Sequence, residues 1–240
     1  IGELQQSSKR AEFAFALKIN CEVDTMIKAV ILDMDGTMFN TERIMSDAWV
    51  KAGKELRCAD GREIYRQIMG MTHDSAKKVF RETYGEGYPY EDFIELGRKF
   101  NNDYLAENGV PVKEGLYTLL DYLKENGYKT AVATSTQRET TLSHLKSTNT
   151  IQYFDSVICG DMVEKSKPDP DIYLKTAGAL QVQPAECMVI EDSPNGITSA
   201  YRAGMKTVMV PDMIEPNPEL NAMLYACAET LDRIIPILKK

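Results

Sequence analysis

The sequence predicts an α/β fold: a parallel sheet with helices on both faces, interrupted after its first strand by an all-helical insertion. Three observations lead there. From residue 111 onward, short aliphatic runs alternate with helical-period segments of about ten to fifteen residues, which implies right-handed crossovers between parallel strands. One further aliphatic run, Lys28 to Leu32, stands alone far upstream. Between Leu32 and Lys129 no convincing strand occurs, and apolar residues recur there at helical spacing.

Lys28 to Leu32 is aliphatic and β-branched, the mark of a strand buried on both faces. From Thr41 the period becomes helical, with Ile44, Met45, Ala48, Trp49, Ala52 and Leu56 on one side, Thr41 as N-cap and Glu42 in the first turn. Further helices are predicted over Arg62 to Met69, Asp74 to Tyr84 and Glu91 to Ala106. The α/β rhythm then begins with a helix from Leu116 to Glu125, stopped by Asn126 and Gly127. A strand from Thr130 to Ala133, a helix near Arg138 to Lys146 and a strand in "YFDSVIC" follow. After them come a helix from Pro170 to Leu180, the strand "CMVI", a helix from Gly196 to Ala203 and the strand "TVMV". The expected organisation is a core of residues 26–40 and 111–240, a helical domain of residues 41–110, and an N-terminal extension at residues 1–25.

Composition narrows the function. The chain has 240 residues and 43% apolar content, enough for a sizeable core. A net charge of −8 argues against a nucleic-acid backbone or an anionic membrane as partner, but allows a small anion in a local positive pocket. Five scattered cysteines without a C-x-x-C pair suggest reduced thiols and a cytoplasmic protein. No stretch is long enough to span a membrane. Lys9 and Arg10 precede a short apolar patch loosely like a secretion signal, but Lys18 interrupts it and no small-residue cleavage site follows. Met26, just before the first strand, reads as the functional start.

In parallel sheets, ligands bind beyond the carboxyl ends of the strands, where strand-to-helix loops converge. Here the strand ends carry the chemistry. The first carries Asp33, Asp35 and Thr37, and the second Thr134, Ser135 and Thr136. The loop after the third carries Lys165 and Lys167, and the fourth ends in Glu191, Asp192 and Ser193. Taken singly, each has a plainer reading: D-x-D is often a solvated turn, and Glu191 or Asp192 could cap the next helix. Gathered on one rim, four carboxylates need a compensating cation. All-oxygen ligation favours a hard ion, Mg2+ above all, which also binds substrate phosphate. Hydroxyl groups and Lys167 would complete a phosphate cradle.

"DMDGT", the threonine of "ATST", the lysine of "SKPDPD" and the acidic pair of "EDSPNG" resemble, in order and spacing, the four motifs of the haloacid dehalogenase superfamily. The resemblance runs from about Met26 to the C-terminus. The helical stretch between the first two motifs resembles the C1 cap of the β-phosphoglucomutase and phosphoglycolate phosphatase branch. The resemblance implies a Rossmann-like core with an inserted helical cap and a phosphoryl-transfer enzyme. It implies Asp33 as nucleophile, Asp35 as general acid and base, and Thr134 and Lys167 holding the phosphoryl group. Asp33, Asp192 and the backbone carbonyl of Asp35 would ligate Mg2+, with Glu191 a direct or water-mediated ligand.

Asp35 favours phosphate esters, because dehalogenases and phosphonatases of this superfamily lack the second aspartate. In the mutase pattern a cap histidine follows the first motif and an arginine occupies the cap specificity loop. Those places hold Met45 and His73 here, which puts a small-molecule phosphatase ahead of a hexose-phosphate mutase. A non-catalytic binding or regulatory protein on the same scaffold is the third reading, disfavoured by the intact motifs. His73 and Asn40 are expected near substrate, Asn40 alternatively at the hinge, while His144 falls in a helical pattern and reads as packing. The expected partner is a small phosphorylated metabolite, without nucleic acid or membrane, for a monomer or weak homodimer.

Overall fold

The computed structural model describes residues 26–57, 61–68 and 73–239, and of residues 73–75 the backbone alone. The N-terminal extension, Cys21 and Cys58 lie outside the described residues, as does the side chain of His73. No described helix is long and apolar enough to cross a membrane.

The sheet has six strands: β1 (Ala29–Leu32), β2 (Lys129–Thr134), β3 (Ser156–Cys159), β4 (Cys187–Glu191), β5 (Lys206–Met209) and β6 (Ala226–Cys227). Their order is β3-β2-β1-β4-β5-β6, and every neighbouring pair is parallel. β1 is therefore central, with the direction of winding reversing between it and β4, the place where open α/β sheets form a ligand crevice. Leu32 pairs with Val132 on one side and Ile190 on the other, so Asp33 emerges level with the ends of both neighbours.

Alternation along the strands feeds two cores. Val30, Leu32, Val132, Met188 and Ile190 pack on one face against Leu116, Leu119, Leu120 and Leu123 of α5 (Leu116–Glu125). Ala29, Ile31, Ala131, Ala133 and Val189 pack on the other face against Ile172, Tyr173, Ala177 and Leu180 of α7 (Asp171–Leu180). The inserted segment has a core of its own. It comprises α1 (Thr41–Glu55), α2 (Gly61–Ile68), α3 (His73–Tyr84) and α4 (Tyr90–Asn108), joined around Trp49, Ile64, Phe80 and Phe93. The strand order and helical insertion give the expected Rossmann-like sheet with a helical cap.

The insertion enters and leaves the core side by side. Asn40 N–H donates to Pro111 O and Lys113 N–H to Met38 O, both at 2.9 Å, around an antiparallel bridge between Phe39 and Val112. Asp212, beyond β5, pins this crossing. Its Oδ1 accepts from Arg43 Nε at 2.7 Å and from Lys113 Nζ at 2.8 Å.

Several local expectations differ. The third strand is shorter than "YFDSVIC", because Ile151–Tyr153 forms a 3₁₀ turn and Asp155 Oδ2 accepts from Thr130 N–H. Strand β6 was not expected, being only two residues long. Thr41 is not an N-cap: it lies inside α1, and its hydroxyl donates to Asp35.

Candidate active site

Asp33 leaves β1 with its N–H bonded to Ile190 O, which fixes its carboxylate over the end of the sheet. Met34 and Asp35 then begin a tight turn in which Met38 N–H and Phe39 N–H both return to Met34 O. Gly36 sits at φ +82 in that turn, and a Cβ there would lie 2.3 Å from Asp192 Oδ2. Glycine is thus required twice over, by backbone conformation and by the closeness of the neighbouring carboxylate.

On the acidic side, Lys167 Nζ donates to Asp33 Oδ1 at 2.6 Å, Glu191 Oε1 at 2.7 Å and Ala133 O at 3.1 Å. All three of these side chains are buried. Burial opposes the charge on Lys167, but Asp33 and Glu191 outweigh it and hold the ammonium well above its usual range. Burial likewise opposes ionisation of Glu191, yet Lys167 holds its carboxyl below the usual carboxylate range.

Both carboxylate oxygens of Glu191 are hydrogen-bonded. Oε1 accepts from Lys167 and from Tyr173 OH at 2.8 Å. Oε2 accepts from Asp192 N–H, Ser193 N–H and Ser193 Oγ–H at 3.0, 3.1 and 3.0 Å. Ser193 also caps α8 (Pro194–Arg202), so the carboxylate rests at the positive end of that helix. In this arrangement Glu191 accepts five hydrogen bonds and anchors Lys167. Tyr173 was not anticipated, since within α7 it reads as one more apolar contact.

Asp35 turns the other way. Its Oδ1 accepts from Thr41 at 2.6 Å, and its Oδ2 from Thr136 at 2.6 Å and Thr134 at 3.4 Å. Asp33, Asp35, Thr134, Ser135, Thr136, Lys167 and Asp192 all line one cavity of about 170 Å³, a volume suited to a phosphoryl group. Asn40 is not brought there; it lines a separate groove behind the crossing, with Arg43 and Pro111. His144, by contrast, lines a second cavity that also reaches Asp35. Its place in a helical pattern reads as packing, and periodicity alone does not indicate what that side chain meets.

The acidic side suits a divalent cation. Asp33, Glu191 and Asp192 offer carboxylate oxygens within 4.8 Å of one another. Burial, then the neighbouring carboxylates, push Asp192 well above the usual range. Burial and Glu191 push Asp33 up as well, against the pull of Lys167. Three buried carboxylates around one ammonium leave an excess of negative charge that a hard cation would offset.

Known proteins resemble this chain along most of its length. The phosphorylated carbohydrates phosphatase of Thermotoga maritima is 29% identical over 221 residues, covering 89% of this chain and 99% of that protein. Protein CbbY of Rhodobacter capsulatus is 30% identical over 194 residues, 77% of this chain and 86% of that protein. The crystal structure of CbbY from Rhodobacter sphaeroides in complex with phosphate superposes with a TM-score of 0.71 at 25% identity, covering 87% of this chain and 96% of that one. The model of the haloacid dehalogenase-like hydrolases matches residues 30–210, and the chain belongs to that family.

Proposed function

We propose that this protein hydrolyses a small-molecule phosphomonoester in a Mg2+-dependent reaction through an aspartyl phosphate on Asp33. The observation that carries the reading is the separation of the two aspartates. Asp33 faces Lys167 and the acidic cluster, while Asp35 is held apart by Thr41, Thr134 and Thr136. The phosphatase name of the Thermotoga maritima relative supports the same reaction class.

Asp33, Asp192 and the backbone carbonyl of Asp35 would hold Mg2+, which supplies positive charge to the transferring phosphoryl group. Lys167, fixed by Glu191, and the hydroxyls at the end of β2 bind the phosphoryl oxygens as their charge develops. A carboxylate oxygen of Asp33 attacks phosphorus, and the bond to the ester oxygen breaks as Asp35 gives that oxygen its proton. Asp35 then takes a proton from water as the water attacks phosphorus, releasing phosphate and restoring Asp33. The three hydroxyls around Asp35 orient its carboxyl for both transfers.

Met45 lines the cavity beside Asp35 and has no proton to exchange, which supports hydrolysis over a mutase reaction at that position. Phosphate release from p-nitrophenyl phosphate with and without Mg2+ tests the reading. Turnover is expected with the metal and not after chelation. Turnover persisting in Asp33→Asn would overturn the mechanism, and β-glucose 1-phosphate isomerising faster than phosphate is released would favour the mutase.

A further inference from the structure

Two of the buried helix hydroxyls serve their own backbone. Thr141 of α6 (Arg138–Ser147) donates to Gln137 O at 3.0 Å, and Thr176 of α7 donates to Ile172 O at 2.7 Å. Tyr173 of α7 is different. Its hydroxyl crosses to the end of β4 and donates to Glu191 Oε1 at 2.8 Å. The side chain is fully buried, where phenylalanine would fill nearly the same space with no polar group to satisfy. The Lys167 ammonium also stands over its ring, with Nζ 5.0 Å from the centroid, within the range of a cation–π contact.

A lysine charge rides on a flexible four-carbon stem, so its position is set by what surrounds the ammonium. Asp33 and Glu191 both draw on Lys167, at 2.6 and 2.7 Å. Tyr173 donates to Oε1 of Glu191, the same oxygen that Lys167 meets. Without that hydroxyl, Oε1 would face Lys167 alone and pull the ammonium toward itself, away from Asp33. The loop below has separate support: Ser199 Oγ of α8 donates to Asp169 O at 2.6 Å, two residues past Lys167. The hydroxyl therefore bears on the ammonium and not on the path of the chain.

We propose that Tyr173 is a positioning residue for phosphoryl transfer: its hydroxyl, through Glu191, and its ring, directly, fix Lys167 beside Asp33. This rests on the phosphomonoesterase reading. Tyr173 is not among the residues lining the phosphoryl cavity, so its effect on turnover passes through Lys167 and Glu191.

The test measures kcat and KM for p-nitrophenyl phosphate with Mg2+, and Tm, in the wild type, Tyr173→Phe, Tyr173→Leu, Glu191→Gln, and Tyr173→Phe combined with Glu191→Gln. Tyr173→Phe keeps the ring and is expected to lower kcat about tenfold, the effect of one net hydrogen bond. KM should stay within about twofold, the pattern of an interaction that counts in the transition state. Tyr173→Leu loses the ring as well and should lower kcat by about another fivefold. Added to Glu191→Gln, Tyr173→Phe should change kcat less than about twofold, because coupled residues are not additive. A residue that merely packs would lower Tm without this split or this coupling.

Unchanged kcat in Tyr173→Phe, or its full loss repeated on top of Glu191→Gln, would overturn the proposal. Equal kcat in the Phe and Leu variants would overturn the part given to the ring. Should Glu191→Gln not fold, the split between kcat and KM in Tyr173→Phe decides. A wild type that releases no phosphate would overturn the phosphatase reading. The same cycle in urea would then test the contacts alone, and additive losses of stability would overturn those too.

Discussion

Lys167 and Asp33 meet at 2.6 Å with side chains only 6% and 10% exposed, so the ion pair at the centre of the site is almost dry. Glu191 shares the same ammonium. Removing the cation strands two buried carboxylates, a change that costs about 3–5 kcal/mol when a buried pair is broken. Lys167→Met is therefore expected to lose stability on that scale in a urea titration. It should also release phosphate at least ~10³-fold more slowly, as for a lost transition-state donor. A variant as stable as the wild type would show that water reaches the pair.

Gly196 lies in the first turn of α8, where a Cβ would sit 1.7 Å from Glu191 Oε1. Neither the helix nor the five-fold bonded carboxylate can yield easily. Gly196→Ala should be destabilising by about 1–3 kcal/mol, the usual penalty of overpacking, although alanine is the better helix former. Thermal unfolding decides the sign; a gain in Tm would mean that Glu191 can turn away freely.

Asp192 exposes a conflict between stability and metal binding. Burial and the negative charge of Glu191 and Asp33 disfavour its ionised form. In the absence of Mg2+, Asp192→Asn is expected to stabilise the fold by about 1 kcal/mol, because it removes a like charge from a buried cluster. Mg2+ should raise the Tm of the wild type and leave that of Asp192→Asn unchanged, since a ligand stabilises only the state that binds it. Differential scanning fluorimetry with EDTA and with Mg2+ measures both effects on one plate.

Glu42 sits in α1 with its carboxyl hydrogen-bonded to Tyr65 and facing both cavities. Burial raises its pKa from an ordinary 4.5 to about 7. Between those values the folded chain keeps a proton that the unfolded chain has released, so stability falls as pH rises through that window. For one such carboxyl the loss is on the order of 3 kcal/mol. Glu42→Gln should therefore gain on the wild type from pH 5 to pH 7.5 when both are unfolded in EDTA. Parallel stability curves would place the proton elsewhere.

The chemistry at the strand ends was legible because strands and their ends are local features: Asp33 and Thr134 follow apolar runs directly, the Glu191–Asp192 pair follows another, and Lys167 stands in the loop after the third strand. What escaped depends on where a side chain points after its helix has docked. Thr41 reads as a cap by type and position, but Asp35 is the stronger acceptor within reach. Tyr173 and Leu180 share one buried face, and nothing in their spacing shows that the tyrosine hydroxyl ends on Glu191. His144 was passed over for the same reason. Strand β6 has only two residues, too few to display a period, and exists because β5 offers an edge to pair with.

The paired crossing at residues 38–40 and 111–113 has a consequence for how such a chain can diversify. Asn40 touches Pro111 through a 2.9 Å hydrogen bond, so the path of the core is continuous in space without the seventy residues between them. The helices can then be exchanged as a cassette while Asp33, Lys167 and Asp192 keep their places. Reaction and recognition become separable inheritances: one is written at the strand ends, and the other in a removable insert clasped at its base.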